Sequence, residues 1–216
     1  LGYLSSVSGM QMFMVVQAWL IFDLTGSALQ LGFLALARAV PSVAFGLIGG
    51  VVADKLDQRR LLILTTATVA VIYLIVGILT LMDTVQVWHV LGSVFLTGAI
   101  LAFDQPSRQA IFPNLINRKD LMSAVALNSM IHPGTRIVAP LIAGLLIDYI
   151  GVPRQGAASA IFLVAGAYAI FSYMMFRVHV QPVKRAGGNS GVQDLLDGVS
   201  YIVTRPLFRL LIVTSF

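Results

Sequence analysis

Six long apolar runs, each close to the length of a membrane-spanning helix, make up most of this chain. They cover residues 1–22, 29–53, 61–82, 87–103, 121–149 and 157–176, with short polar gaps between them. About 20 mostly apolar residues are enough to cross a bilayer as an α-helix. Each crossing must be helical because lipid cannot satisfy backbone N–H and C=O groups. The pattern predicts an all-α membrane protein with a bundle of six transmembrane helices.

The composition excludes several other classes of protein. Only 11% of the residues are charged, against about 25% in a soluble domain, so a single soluble core would lack the charged surface it needs. A net charge of +5 is compatible with nucleic-acid binding, but these charges lie in the gaps between apolar runs and not on one helix face. We expect the lipid bilayer as a partner and no nucleic acid. The absence of cysteine excludes disulfides and thiolate metal sites, and no cofactor or metal is expected.

The lysines and arginines predict the orientation of the helices. Eleven of the 14 lie on the side of the chain start, in the gaps there and between Arg177 and Arg209, and the opposite side has only Arg154. Cytoplasmic loops have such an excess of basic residues, so we expect the chain start to face the cytoplasm. Aromatic residues lie at the outer ends of three spans, as expected for an aromatic belt: Trp19, Trp88 and Tyr149.

The composition changes after the sixth run. The segment PVKRAGGNSG is typical of a flexible linker, and apolar residues over 192–203 recur at the spacing of an amphipathic helix on a membrane surface. Another apolar run starts at Pro206 and stops at Phe216. We therefore expect a six-helix bundle over residues 1–176, a cytoplasmic linker with an amphipathic helix over 177–205, and the truncated start of a seventh transmembrane helix over 206–216.

The turn between the second and third runs, GGVVADKLDQRR at residues 49–60, contains charges of both signs. The cytoplasmic bias accounts for its bases but not for Asp54 at the membrane edge. An acid there is placed to accept hydrogen bonds from a neighbouring helix N-terminus or from an arginine. Gly49 and Gly50 would let two helices approach closely. The alternative is a solvated hairpin turn.

Residues 50–60, G-x-x-A-D-K-x-D-x-R-R, resemble the signature loop between the second and third helices of the major facilitator superfamily. Asp57 stands where glycine is usual and Gln58 where a base is usual; an acid at the first position suits a branch of bacterial exporters that includes enterobactin and macrolide efflux proteins. DLTGS, ARAVP, FDQPSRQAIFPNLI and NSMIHPGTRIVAPLIAGLL resemble the same branch, in the same order. The resemblance implies the amino-terminal half of a twelve-helix transporter in the bacterial inner membrane, with a missing carboxy-terminal half as its partner.

The resemblance also implies a role for the charged loop. In the superfamily the loop acid holds the two halves in the outward-facing state through contacts with helix ends and arginines. By position that acid is Asp54, and Arg108 is its expected partner within this half. We call these contacts the conformational latch; its predicted members are Gly50, Asp54, Lys55, Arg59, Arg60 and Arg108.

Two arginines, Arg38 and Arg136, lie near the middle of apolar runs. A central arginine costs about 2.5–3.5 kcal/mol on insertion scales, so each is expected to face a wet cavity or a partner. The alternative is a structural arginine that binds backbone carbonyls or an aspartate. If they line the cavity, they would favour a substrate with an anionic or catecholate group.

Polar and small residues of the fifth run fall on one helical face at about 100° per residue. His132, on this face, could titrate near neutral pH and move a proton, or it could be a hydrogen-bonded structural residue. No aspartate or glutamate is expected mid-membrane in this half, so a coupling carboxylate is expected in the missing half. Methionines of the first run suit an adaptable binding surface or face lipid. The candidates for contact with the cavity or substrate are Gln17, Met14, Arg38, Asn128, His132 and Arg136.

The fifth run also resembles the fifth-helix motif that is associated with antiporters. Glycine is usual at three positions where this chain has Thr135, Ala139 and Ala143. Ordinary helix packing through small residues is the alternative interpretation. The residues that match the motif are Thr135, Ala139, Pro140, Ala143 and Gly144.

These features favour a secondary active exporter that works by alternating access. We expect a small amphipathic substrate, either a siderophore or an antibiotic or other drug, driven out by proton antiport. No enzyme is expected, because H-E-x-x-H, G-x-S-x-G, a Walker loop and a carboxylate pair within a span are all missing from the sequence. The alternative is a non-transporting membrane sensor or scaffold with the same fold.

Overall fold

The computed structural model describes residues 2–111 and 121–177. Within these residues the chain forms six α-helices and no strand, and each helix is long and apolar enough to cross a membrane. The predicted all-α fold with six transmembrane helices is confirmed. The predicted amphipathic helix and the start of a seventh transmembrane helix lie outside the described residues. The helices are α1 (Gly2–Thr25), α2 (Ala28–Lys55), α3 (Gln58–Leu81), α4 (Val87–Ile111), α5 (Leu121–Tyr149) and α6 (Pro153–Arg177).

Helix α4 is longer than its apolar run, because it continues past residue 103 to Ile111. The added turns contain Asp104 and Arg108, which are polar in sequence but have partners inside the bundle. Asp104 is only 1% exposed and lies within Val87–Gln109, the stretch of α4 that is apolar enough to span a membrane. The predicted end of the fourth span at residue 103 is therefore too early, and Asp104 is a buried acid near the end of that span.

The helices pack in a pattern that repeats between the first three and the last three. Helix α2 packs on α4 as α5 packs on α1, α3 packs on α4 as α6 packs on α1, and α3 and α6 contact each other. Internal repeats of three helices are a known feature of membrane transporters. Helices α2 and α5 hold equivalent places in the repeat, and they are the least buried of the described helices.

An aromatic column joins α1, α3 and α6 in the core. The ring centroids of Phe13 and Tyr73 are 4.0 Å apart, and those of Tyr73 and Tyr168 are 5.6 Å apart. All three side chains are buried. Aromatic pairs of this kind contribute about 0.5–1.5 kcal/mol each beyond the area they bury, so this column stabilises the centre of the bundle.

The charged loop at residues 54–60 begins one helix and covers the end of another. Asp57 is the N-cap of α3, and its Oδ1 accepts hydrogen bonds from the backbone N–H groups of Arg59 at 3.0 Å and Arg60 at 3.2 Å. The Arg59 guanidinium donates to the carbonyl oxygens of Met175 at 3.1 Å and Phe176 at 2.7 Å. Acids favour helix N-termini and bases favour C-termini, where backbone groups lack helical partners. We call this end of the bundle the basic end.

The opposite end is joined by Arg154 at the start of α6. Its Nε donates to Asp23 in the last turns of α1 at 2.9 Å, and its Nη1 donates to Asp83 in the turn before α4. All three side chains are partly exposed, so each pair contributes at most about 1 kcal/mol. Together they hold the ends of three helices in register.

Helices α2 and α4 touch through their backbones. A Cβ atom at Gly49 would lie 2.2 Å from the carbonyl oxygen of Ala102, and one at Gly98 would lie 3.0 Å from Cγ of Pro41 and 3.2 Å from the carbonyl oxygen of Arg38. A Cβ at Gly50 would meet no atom within 4 Å. The close approach expected at both glycines of the loop is therefore made by Gly49 and not by Gly50.

We predict that Gly49→Ala lowers the free energy of unfolding by about 1–3 kcal/mol, the usual cost of overpacking, because α2 must move away from the Ala102 carbonyl. Gly32→Ala on the exposed part of the same helix is the matched control, since its Cβ would meet no atom within 4 Å. Helix propensity alone makes that control neutral or stabilising. Unfolding of the purified full-length protein in detergent measures both; equal losses would contradict the contact.

Candidate functional site

A cavity of about 450 Å³ opens between α1, α2 and α4, within the usual range for small-molecule sites. Helix α2 lines the cavity with three residues spaced one turn apart on one face. Helix α4 lines it with a longer row of residues, also on one face. Helix α3 closes the cavity with the ring of Tyr73. The lining residues are Met10, Arg38, Ser42, Gly46, Tyr73, Thr97, Gly98, Leu101, Ala102, Gln105, Pro106 and Gln109.

The described lining has a single charged side chain, Arg38, among neutral polar groups. The Ser42 hydroxyl donates to the carbonyl oxygen of Arg38 at 2.9 Å, and the Thr97 hydroxyl donates to the carbonyl oxygen of Ser93 at 2.8 Å. Both hydroxyl protons are thus used within their own helices. The other donors in the described lining are the guanidinium, the Tyr73 hydroxyl and the amides of Gln105 and Gln109.

The structure separates the two intramembrane arginines. Arg38 lines the cavity, whereas Arg136 is exposed on α5 and does not line it. His132 is exposed on the same part of α5, and Asn128 is half-buried with an Oδ1 atom that accepts no hydrogen bond from the described residues. These three polar residues of α5 therefore form a face that the described part of the chain leaves largely uncovered.

The two candidates on α1 do not line the cavity either. Met14 is 41% exposed and is not part of the cavity lining. Gln17 is buried, and its Oε1 accepts no hydrogen bond from the described residues. Met10, one turn before Met14, is the α1 residue that lines the cavity.

A buried ion pair lies beside the cavity on α4, and its two residues directly precede Gln105 and Gln109 in the sequence. Arg108 donates from Nε to Oδ2 of Asp104, and Thr65 on α3 donates to Oδ1 at 2.8 Å. Arg108 also donates from Nη1 to the Ser6 hydroxyl on α1 at 2.8 Å. Its Cζ lies 4.3 Å from the ring centroid of Phe171 on α6, a cation–π distance. One ion pair thus contacts four helices.

The polar contacts continue to α5 through Tyr3. The Cζ of Arg108 lies 5.8 Å from the centroid of the Tyr3 ring. The hydroxyl of Tyr3 shares a hydrogen bond of 3.0 Å with Nε2 of His132. His132 therefore has a polar partner on α1, and the line of contacts runs from Thr65 on α3 to α5.

The residues of the fifth-helix motif separate into two groups. Thr135, Ala139 and Ala143, spaced one turn apart, are buried, and the Thr135 hydroxyl donates to the carbonyl oxygen of Ile131 at 2.8 Å. Thr135 and Ala139 also line an apolar groove of about 380 Å³ between α1 and α5. Pro140 is half-buried, and Gly144 is exposed with no close neighbour. This placement favours helix packing as the role of the three buried residues.

The predicted latch residues are already engaged in part. Arg108 binds Asp104, Arg59 binds the end of α6, and Arg60 is exposed with Asp57 at 3.6 Å. Gly50 is half-buried. The side chains of Asp54 and Lys55 lie outside what the structure describes, so the pairing of Asp54 with Arg108 stays a prediction.

The sequence analysis missed Asp104, Ser6 and Thr65 as members of a site. A local signal was present, because Asp104 and Arg108 are four residues apart and so face each other on a helix. Proline at position 106 and the polar residues around it made this segment look like a loop. The spacing of Thr97, Gln105 and Gln109 places them on one helical face. This face could be recognised only if α4 was predicted to continue past residue 103.

We predict that Asp104→Asn destabilises the protein by about 3–5 kcal/mol, because it leaves the buried Arg108 guanidinium without a counter-charge. The matched control is the double variant Asp104→Leu/Arg108→Met, which removes both charges. Ser6 and Thr65 keep hydrogen-bond acceptors there, since their hydroxyl oxygens lie 3.0 Å from the Tyr3 carbonyl oxygen and 3.2 Å from the Leu62 carbonyl oxygen. Thermal unfolding in detergent should show the double variant closer to the parent; the reverse order would contradict the pair.

Comparison with known proteins gives the family. Residues 2–196 match the family described as transmembrane secretion effector. The staphyloferrin A transporter of Staphylococcus aureus is 27% identical over 198 residues, which cover 91% of this chain and 49% of that protein. Macrolide efflux protein A of Streptococcus pyogenes is 27% identical over 135 residues, 61% of this chain and 33% of that protein. The multidrug efflux pump Tap of Mycolicibacterium fortuitum is 24% identical over 221 residues, 98% of this chain and 53% of that protein.

The chain spans about half the length, or less, of these curated relatives. No solved structure matches it significantly. The match over most of the chain and the six apolar helices of the described residues agree with each other. The chain is a multi-pass bacterial membrane protein that belongs to the transmembrane secretion effector family of the major facilitator superfamily, of whose fold it forms the amino-terminal half.

Proposed function

We propose that this chain is the amino-terminal half of a secondary active exporter that moves a small amphipathic molecule out of the cell. The main observation in support is the cavity of about 450 Å³ between α1, α2 and α4, which places polar groups inside membrane-spanning helices. Polar residues within a span are costly and usually mark a substrate or ion path. The names of the relatives, a staphyloferrin A transporter, macrolide efflux proteins and a multidrug pump, point to a siderophore, an antibiotic or another drug.

Alternating access needs a second bundle that moves against the first. The uncovered polar face of α5, with His132 and Arg136, cannot face lipid cheaply, and it supports a contact with the carboxy-terminal half or a wet path beside it. In this arrangement the protein lies in the inner membrane with the basic end in the cytoplasm. The α4 part of the cavity lining then reaches Gln109, two residues from the cytoplasmic end of that helix.

Proton antiport is the energy source that the buried ion pair supports best. A proton on Asp104 removes its attraction for Arg108 and frees the guanidinium, which contacts Ser6 on α1 and Phe171 on α6. The same proton weakens the polar contacts between α4 and the neighbouring helices beside the cavity. His132, linked to the pair through Tyr3, is a second group that can hold a proton.

The conformational latch belongs to the same proposal. Asp54 at the basic end contacts the carboxy-terminal half and holds the outward-facing state, with Gly50, Lys55 and Arg60 beside it. Arg108 is the expected partner of Asp54 within this half. Arg59 supports the latch indirectly, because it holds the end of α6 at the same end of the bundle. The fifth-helix motif supports antiport in the same proposal; its residues are Thr135, Ala139, Pro140, Ala143 and Gly144.

We predict that the full-length protein in vesicles with an acidic interior moves ethidium, erythromycin or carboxyfluorescein inward and releases protons outward. Acridine orange fluorescence reports the loss of the pH gradient, and a protonophore should abolish uptake. Asp104→Leu/Arg108→Met, which removes the buried carboxylate, should insert normally but lose proton release. Uptake that survives the protonophore would contradict proton coupling. No movement of any of the three compounds would favour a sensor or scaffold.

We predict that Asp54→Asn reduces transport at least tenfold while membrane insertion stays normal, because the latch needs the negative charge. Asp57→Asn is the matched control in the same loop, since asparagine keeps the N-cap oxygen that accepts from Arg59 and Arg60. Uptake rates and protein levels in the same vesicles measure both variants. Normal transport by Asp54→Asn, or equal losses in the two variants, would count against the latch.

A further inference from the structure

We propose that Arg38 forms an anion-binding subsite in the cavity and that the preferred substrate has a carboxylate beside an apolar body. The subsite deepens the proposed export function. Its role in substrate recognition rests on that function, but its ability to bind an anion does not. Its existence depends on four observations about the described residues: the charge of Arg38, the engagement of the nearby acid, the donors on α4, and the apolar walls.

The charge of Arg38 needs a partner inside the membrane. The residue lies near the middle of α2 and lines the cavity. A central arginine costs about 2.5–3.5 kcal/mol on insertion scales unless it meets water or a counter-charge. Among the described acids, none lies within ion-pair distance of this guanidinium.

The nearest acid along α4 is already occupied. One oxygen of Asp104 accepts from Thr65 and the other accepts from Arg108, and the carboxylate is 1% exposed. The other ion-paired acids of the described chain lie at the two ends of the bundle, with Asp57 at the start of α3 and Asp23 and Asp83 around Arg154. The cavity therefore has a net positive charge in its described lining.

The remaining donors suit a carboxylate. A guanidinium is planar and binds a carboxylate with two parallel N–H···O bonds. Gln105 and Gln109 line the same cavity one turn apart on α4 and can donate from their amides. The Ser42 and Thr97 hydroxyls already donate to backbone carbonyls, so their free lone pairs are acceptors for a substrate hydroxyl.

The walls of the cavity suit an apolar body next to the anionic group. Met10, Tyr73 and Leu101 come from three different helices and line the same space. Methionine adapts to irregular ligands, and the fully buried Tyr73 ring gives a rigid surface. A cationic molecule of the same shape would meet Arg38 without any described acid to offset the repulsion.

The test measures binding to the purified full-length protein in detergent with two fluorescent probes. Carboxyfluorescein is an aromatic carboxylate, and ethidium is an aromatic cation of similar size. The variants are Arg38→Gln, which removes the charge, and Arg38→Lys, which keeps the charge but loses the planar donor pair. Arg136→Gln is the matched control, because it removes an intramembrane arginine that does not line the cavity.

We expect the parent to bind carboxyfluorescein, Arg38→Gln to bind it at least tenfold more weakly, and Arg38→Lys to fall between them. Arg136→Gln should stay within twofold of the parent, and ethidium binding should not weaken in Arg38→Gln. If Arg38→Gln does not fold, the loss of carboxyfluorescein binding in Arg38→Lys alone tests the subsite. No binding of carboxyfluorescein by the parent, or equal losses in the Arg38 and Arg136 variants, would overturn the subsite.

The result also separates this inference from the proposed function. If vesicles take up ethidium while the purified protein does not bind carboxyfluorescein, export stands and the anion subsite falls. If the protein binds carboxyfluorescein in an Arg38-dependent way but vesicles move none of the tested compounds, the subsite stands and export falls.

Discussion

Lipid offers no hydrogen-bond partner to a polar group, so each charge within these helices needs a match inside the protein. Three arginines have such a match: Arg108 binds Asp104, Arg59 binds the carbonyl end of α6, and Arg154 binds Asp23 and Asp83. These contacts lie at different depths and join different helices, so together they fix the described bundle. Arg38 and Arg136 have no ion-pair partner among the described acids. In the proposed exporter, these two arginines mark the places where a substrate, water or the second bundle would meet this one.

Packing supplies the rest of the order, because apolar side chains gain little from leaving lipid for another helix. At glycine positions, close contact between the backbones of two helices replaces that driving force. Gly49 and Gly98 bring α2 against α4. Gly156 brings the start of α6 against α5, since a Cβ atom added there would lie 2.4 Å from the Leu146 carbonyl oxygen. A bundle fixed by backbone contact moves as one body, which is the behaviour that rocking between two halves requires.

Apolar run length predicted the six helices because a bilayer imposes one span length on every crossing. The same criterion failed at Asp104, since hydropathy counts a paired acid and base as a polar gap. The cavity could not be predicted from single runs. Arg38 and Arg136 look equivalent in sequence, and only the packing of α2 on α4 places the first beside Gln105 and Gln109. For Asp54 the sequence pattern remains the whole basis of the prediction.

The repeat in the packing places these two arginines on equivalent helices. They lie on α2 and α5, which hold equivalent places and are the least buried of the described helices. The grooves beside them differ in chemistry. Between α2 and α4 the lining includes Arg38 and two glutamines, whereas between α1 and α5 it is almost wholly apolar, with residues such as Met12, Met130 and Ile142. Each groove is lined by helices of both repeat units, yet one has a charged side chain and the other is almost wholly apolar. In the proposed exporter, the two grooves would receive the anionic and the apolar parts of an amphipathic substrate.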